Sequence, residues 1–416
     1  MKKFFRLLST PTARSSAFYY FGNFTIGVGR YFFHLLLLRL LLPSEYGEFL
    51  AYLSLLYILG IPNTAVSNLV VKFVAEFKGR RDHHSINQLF YYLVRKLTPI
   101  SLAIGALMIL FANFLSSVFK AHQTAFVILG LSLFIGLLST IIRSYLLAFQ
   151  RFVAQILIGF LDICVTLILA YIFIKIGLSA TGAVLAQILS GIISLTICLY
   201  LIRKEIFPIS TKTNKKFNLS SFTGYSLIFA IGSLSLISSD VLLVRYYFSE
   251  HLSGIYSSLS VIGRIVYFGL GPLIGLVLPI ASHRHAATGS SKGVFLKLGS
   301  VILVFGLLAT LIFVIFPSLI MRTLSGVNYL EGASLLPIFA GSMLLFSFSM
   351  FILSYLMAIG KPKFNLYLLV ATIAQPLIVF IFHQSLIQVV SSNLILEFVL
   401  FLSLFWALFR ELSRTL

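Results

Sequence analysis

GVGRYFFHLLLLRLLLPSEYGEF, residues 27–49, decides the reading of the chain. Its first part completes an apolar run that extends from Ala17 to Leu42 and carries Arg30 at its middle. As an α-helix rising about 1.5 Å per residue, such a run crosses a hydrocarbon layer about 30 Å thick. Pro43, Ser44, Glu45 and Gly47 then form a short turn before apolar sequence resumes. The stretch predicts a membrane-spanning helix with a guanidinium at mid-depth. A charge there costs from about 3 kcal/mol to above about 10, depending on the reference state, and persists only where it meets water, a partner or a ligand.

The pattern continues along the chain. Of 416 residues, 59% are hydrophobic and 10% charged, and the mean hydropathy is +1.04. A soluble core cannot absorb that much apolar sequence spread over the whole length. The strict alternation over about 10 residues that a transmembrane β-barrel needs is not seen. The sequence predicts an all-α integral membrane protein with twelve transmembrane helices, near 17–42, 47–71, 94–118, 124–149, 153–176, 180–202, 221–244, 254–281, 294–317, 332–358, 364–382 and 386–409. Lys2, Lys3 and Arg6 precede the first run as in a signal peptide. That run is too long for one and no small-residue cleavage site follows, so it reads as an uncleaved first helix. Cys164 and Cys198 both sit in apolar runs and read as small core residues.

A net charge of +20 on a soluble chain would point to nucleic acid. Here position explains it. Of the 31 lysines and arginines, 24 fall at the N-terminus, the even-numbered connections and the C-terminus, five fall on the opposite side, and Arg30 and Arg264 lie inside spans. Cytoplasmic loops collect such charge, so both termini are expected in the cytoplasm, with membrane lipids and not nucleic acid as the basic residues' partners.

The longest polar connection, around KEIFPISTKTNKKFNLSS (204–221), falls near the midpoint. RLLLPSEYG (39–47) is answered by RYYFSEHLSG (245–254), and SYLLAFQRF (144–152) by SYLMAIGKPKF (354–364). The chain therefore divides into an N-terminal six-helix half (1–203), a cytoplasmic linker (204–220) and a C-terminal six-helix half (221–416). Six helices each means both halves enter the membrane in the same direction, giving two bundles related by a pseudo-two-fold axis along the membrane normal. Substrate sites of such transporters lie near the bilayer midplane.

Arg30 and Arg264 are the first candidates for substrate binding. Across the repeat they align with Leu236 and Tyr57, so the scaffold does not require them. Arginine also suits phosphate, because its planar fork donates two parallel hydrogen bonds. Asp240, in GSLSLISSD (232–240), is a candidate site residue or the ion-pair partner of Arg30. Arg39 and Arg245, at outer helix ends, read as interface anchors or guides for an anionic headgroup. His34, Asp162 and Glu397 are intramembrane titratable groups, either satisfied by polar neighbours or engaged in proton or ion coupling. Helix eight carries Gly269, Gly271, Pro272, Gly275 and Pro279, which permit bending.

Taken together, YYFGNFTIGVGRYFFHLLLLRLLLPSEYGEFLAYLSLL (19–56), SEHLSGIYSSLS (249–260) and the two-half architecture resemble the bacterial polysaccharide-biosynthesis membrane proteins. These are the O-antigen and exopolysaccharide flippases, in the superfamily that also holds multidrug exporters and the lipid II flippase. The resemblance implies translocation of an undecaprenyl-pyrophosphate-linked oligosaccharide to the outer leaflet of the bacterial inner membrane. It also implies alternating access, and partners among polysaccharide polymerases and chain-length regulators. Cavity arginines on the first and eighth helices mark the lipid II branch, and Arg30 and Arg264 fall on those helices here. A thirteenth and fourteenth helix are missing, which favours a surface-polysaccharide unit over lipid II.

Two other readings remain. A multidrug exporter of the same fold would favour acidic cavity residues. A polysaccharide polymerase or ligase would need a large outer loop and a catalytic set. Neither a Ser/His/Asp set nor a metal-ligand cluster stands out, and no GxxxxGK[ST] motif appears, so neither catalysis nor a cofactor is expected.

Overall fold

The structure, a computed structural model, describes residues 11–207, 224–288 and 290–413, with side chains described from residue 21 onward except at 226, 286, 288 and 412. The described residues are helical throughout, with no strand among them. The elements are α1 (Pro11–Leu40), α2 (Pro43–Leu59), α3 (Ile61–Gly79), α4 (His83–Leu110), α5 (Ala112–Phe119), α6 (Gln123–Ala148), α7 (Phe152–Lys175) and α8 (Ser179–Ile206). They continue as α9 (Gly224–Leu236), α10 (Ser239–Tyr247), α11 (Glu250–Gly263), α12 (Ile265–Thr288), α13 (Lys292–Ile315) and α14 (Pro317–Leu324). After a 3₁₀ segment (Val327–Leu335) come α15 (Leu336–Ala358), α16 (Asn365–Ile381) and α17 (Leu386–Ser413). Among the described residues, ten helical stretches are long and apolar enough to cross a membrane, and the pair α2 and α3, bent by 45° at Gly60, makes an eleventh. The chain is a multi-pass membrane protein.

Several boundaries differ from the sequence reading, each for a local reason. The second span breaks because Pro62, at the start of α3, has no N–H to continue the ladder. The third starts at His83 and not near 94. Asp82 caps it by accepting from Ser85 N at 2.9 Å, which turns the polar run HHSINQ into a first helical turn. The eighth span breaks at Arg264, ahead of its glycines and prolines, while α12 runs through Pro272 and Pro279 as one helix. The basic linker expected at 204–220 lies outside the described residues beyond Phe207, as do Lys2, Lys3 and Arg6.

Two compact units form: residues 1–41 with 59–223, and residues 42–58 with 224–416. These units are not continuous in sequence: α2, which chain order puts in the first half, belongs to the second unit. Inside the first unit α1 packs on α7, α7 on α8, α8 on α6, and α6 on α3 and α4. Inside the second, α9 packs on α16, α16 on α17, α17 on α15, and α15 on α12 and α13. The packing order is the same, which is how a duplicated sequence appears in three dimensions.

The duplication extends to side chains. Tyr145 donates to Ile86 O at 2.9 Å, tying the end of α6 to the start of α4. Its counterpart Tyr355 accepts from Ser291 Oγ at 3.1 Å, tying the end of α15 to the start of α13. Arg151 pairs with Glu205 in one unit, and Lys361 pairs with Glu411 at 2.9 Å in the other. In lipid, where apolar surface alone does not hold helices together, close backbone approach and hydrogen bonds do. At the crossing of α4 and α6, a Cβ on Gly105 would sit 2.5 Å from Gly130 O. Cys198 belongs to the apolar core of the first unit and Cys164 is half-buried; both are free thiols.

Candidate functional site

Arg30 is placed by the glycines around it. Gly22 and Gly29 press against Ile156 and Ile163 of α7, and Gly159 of α7 receives Ile26 in return. This ridge fixes which face of α1 is covered. Arg30 lies one residue beyond it, about 100° around the helix, and is exposed. It makes no hydrogen bond or ion pair among the described residues. On the same helix His34 is half-buried, with its ring edge-on to Phe33 at 6.0 Å. Arg39 is exposed in the last turn of α1, where the helix dipole favours a cation.

Asp162, on α7, is held by its neighbours. Ser190 Oγ donates to its Oδ1 at 2.5 Å and Ser194 Oγ at 3.1 Å, both from α8, and Arg143 Nη2 of α6 stands 3.6 Å from Oδ2. Arg143 is one of the 24 basic residues counted with the even-numbered connections, here the fourth, although it falls within the predicted 124–149 span. It lies inside the α6 span, because Asp162 supplies the counter-charge that makes the position tenable.

A second network occupies the other unit, at two helix breaks. Asp240 opens α10 just after the α9–α10 break, and Arg264 is the break between α11 and α12. Arg264 Nη2 donates to both Asp240 oxygens, at 2.8 and 2.9 Å. Tyr256 Oη and Val241 N donate to the same carboxylate at 2.9 and 2.8 Å. Asn393 donates to Tyr256 Oη at 3.2 Å, and Gln375 donates to Asn393 Oδ1 at 3.2 Å and to Leu236 O at 3.1 Å. Glu397 lies one turn beyond Asn393, buried, with Oε2 meeting no partner among the described residues.

This placement corrects three expectations. Asp240 is paired with Arg264 and not with Arg30, since the break at Arg264 lets its side chain reach back to α10. Arg264 does not stand open: it is 7% exposed and carboxylate-bound. Arg245 is no interface anchor. It is fully buried and donates to Ser44 O at 3.2 Å, because α2 lies in the same unit and covers it.

Sequence reasoning did not identify Tyr256, Gln375 or Asn393. The one signal was that a buried carboxylate must collect donors, and these polar residues lie on spans eight, eleven and twelve around Asp240 of span seven. No group of three or more His, Cys, Asp or Glu side chains able to hold a metal occurs among the described residues.

The chain matches the sequence profile of the family described as polysaccharide biosynthesis protein over residues 36–334. No curated protein sequence matches it. Among solved structures, it is similar to an inward-facing multidrug resistance MATE family transporter of the MOP superfamily, at 15% identity and a TM-score of 0.76, covering 92% of this chain and 95% of that one. It is also similar to the lipid II flippase MurJ in an inward closed conformation, at 14% identity and a TM-score of 0.70, covering 92% and 87%. The MATE transporter DinF-BH in complex with R6G gives 14% identity, a TM-score of 0.68 and coverage of 97% and 96%. The likenesses share the fold, and the profile covers most of the chain: this protein belongs to the polysaccharide biosynthesis protein family and has the fold of the MOP-superfamily transporters.

Proposed function

We propose that this protein is a flippase. It moves an undecaprenyl-pyrophosphate-linked oligosaccharide repeat unit from the cytoplasmic to the outer leaflet of the bacterial inner membrane by alternating access, for O-antigen, capsule or exopolysaccharide synthesis. Twelve spans in two six-helix bundles, related by a pseudo-two-fold axis along the membrane normal, place both termini in the cytoplasm. A polymerase and a chain-length regulator take the product onward.

Arg30 carries this reading. An exposed guanidinium without a partner among the described residues, midway along an apolar helix, is uncompensated in lipid and has a large incentive to bind an anion. Arginine binds pyrophosphate through a fork of donors and remains charged at every relevant pH. Arg264 joins once an anion competes with Asp240 for it. Arg39, exposed in the last turn of α1, guides the headgroup there, and Asp240 tunes Arg264. Coupling to an ion gradient falls to Glu397, whose Oε2 is buried without a partner among the described residues, with His34 and Asp162 as further titratable groups.

The second reading is a multidrug exporter on the same fold. Buried acidic groups favour it, yet Asp240 is already neutralised by Arg264 and Asp162 faces Arg143. The two readings separate in proteoliposomes. The flippase reading expects a lectin added outside to detect a lipid-linked oligosaccharide crossing the bilayer, with Arg30→Ala reducing the rate to that of protein-free vesicles. Rhodamine export that is indifferent to Arg30→Ala, with no glycan movement, would overturn it in favour of the exporter.

A further inference from the structure

Several of the described serines inside helices satisfy their own hydroxyls. Ser144, Ser347 and Ser403 each donate to the carbonyl four residues back, at 2.6, 2.7 and 2.7 Å. Three serines of α11 do not. Ser253, Ser257 and Ser260 are buried, at 1%, 0% and 0% exposure, and their hydroxyls meet no partner among the described residues. Their spacing of four and three residues puts them on one face of the helix, and four residues further on the same face reaches Arg264. Arg264 is itself incompletely used. Nη2 alone serves Asp240, while Nε is buried and donates to nothing among the described residues.

A helix in lipid needs no such arrangement for packing. Alanine would allow the same close approach without leaving polar hydrogens unsatisfied. A row of unspent hydroxyls one helical turn apart, ending at an unspent edge of a guanidinium, matches a ligand that is polyhydroxylic along its length and anionic at one end. We infer that the Ser253–Ser257–Ser260 face of α11 reads the glycan of the transported lipid, with the hydroxyls bonding successive sugars and the free edge of Arg264 meeting the phosphate next to the first sugar. This rests on the flippase reading and names the part of the substrate that the face recognises. The face is covered in this structure. At its Ser253 end the first turn of α2 lies against it, Gly47 being so close that a Cβ there would sit 3.1 Å from the Ser253 carbonyl carbon. Two flanking breaks, at Leu41–Leu42 and at Gly60, let α2 withdraw as a unit.

The test uses the full-length protein in nanodiscs and two probes: undecaprenyl pyrophosphate, and the same lipid carrying a neutral tetrasaccharide. The double variant Ser257→Ala/Ser260→Ala should bind the tetrasaccharide lipid at least tenfold more weakly than wild type does, bind the bare lipid within twofold of wild type, and unfold at the same or a higher temperature. Equal affinities of the wild type for both lipids overturn the inference, and so do unchanged affinities or an equal loss for both probes in the variant. In a background lacking Cys164 and Cys198, Ser257→Cys should react with a maleimide and be protected by the tetrasaccharide lipid more than by the bare one. Equal protection, or no reaction in a turning-over vesicle preparation, counts against it. Arg30→Ala tells the two levels apart. It should weaken both probes, and if it weakens neither, the flippase reading fails whatever the serines do.

Discussion

Arg264 and Asp240 are joined end-on: one guanidinium nitrogen serves both carboxylate oxygens, at 2.8 and 2.9 Å, and both residues are almost wholly buried. A pair of this kind is held in place by what its loss would expose. Removing one partner strands the other charge, which typically costs about 3–5 kcal/mol, whereas replacing both by apolar residues of similar volume is near neutral. Asp240→Ala and Arg264→Ala should therefore each lower the thermal unfolding midpoint in detergent by several degrees, and Asp240→Leu/Arg264→Met should recover most of the loss. Additive losses in the double variant would mean that the pair does not act as a unit.

Arg30 predicts the opposite pattern. It is exposed and bonds to nothing among the described residues, so Arg30→Ala should leave the stability within about 0.5 kcal/mol of wild type. Surface polysaccharide should nevertheless disappear. Arg30→Lys keeps the charge but loses the fork, and should be partly active. Wild-type flux in the lysine variant would reduce the requirement to charge alone, and wild-type flux in the alanine variant would remove Arg30 from the mechanism.

The contrast between these arginines shows what one dimension reveals. A charge inside an apolar run is visible directly, so both Arg30 and Arg264 stood out, as did the repeat that the shared packing order of the two units reproduces. Which arginine is free was not visible. That depended on a break at Arg264, which neither the glycines nor the prolines of α12 announce, and on Asp240 sitting beside a second break. Arg143 was misplaced because the end of a span and the start of a loop look alike when a charge falls there. Only the neighbouring helix, through Asp162, shows that it belongs in the membrane. Allocating α2 to the second unit lay beyond the sequence altogether, since chain order puts it in the first half.

Seating α2 in that unit has a direct steric test. Gly254 lies against the first turn of α2 so closely that a Cβ would fall 1.7 Å from Pro43 O, a backbone atom that cannot move without moving the helix. Gly254→Ala should displace α2 and lower stability by more than about 2 kcal/mol, at the upper end of ordinary point mutations. Gly269 faces open space, so Gly269→Ala is the control and should be neutral or slightly stabilising. Equal stability of the two variants would show that α2 does not pack there.

Glu397 offers the cleanest separation of folding from coupling. Its carboxyl is buried at 4% exposure, with Oε2 unpartnered among the described residues, one turn from Asn393 and near the Asp240–Arg264 pair. A charged carboxylate with no donor is strongly disfavoured in such a place, and a neutral amide of the same shape is not. Glu397→Gln should therefore fold as well as wild type, with an equal or higher unfolding midpoint. Its effect should fall on energy use. In proteoliposomes, an imposed ion gradient should accelerate glycan lipid movement by wild type and leave the variant at its gradient-free rate. A variant that still responds fully to the gradient would place the coupling group elsewhere, with His34 and Asp162 the next to substitute. A variant that fails to fold would show that Glu397 is ionised and structurally bonded, against the neutral form argued from its missing partner.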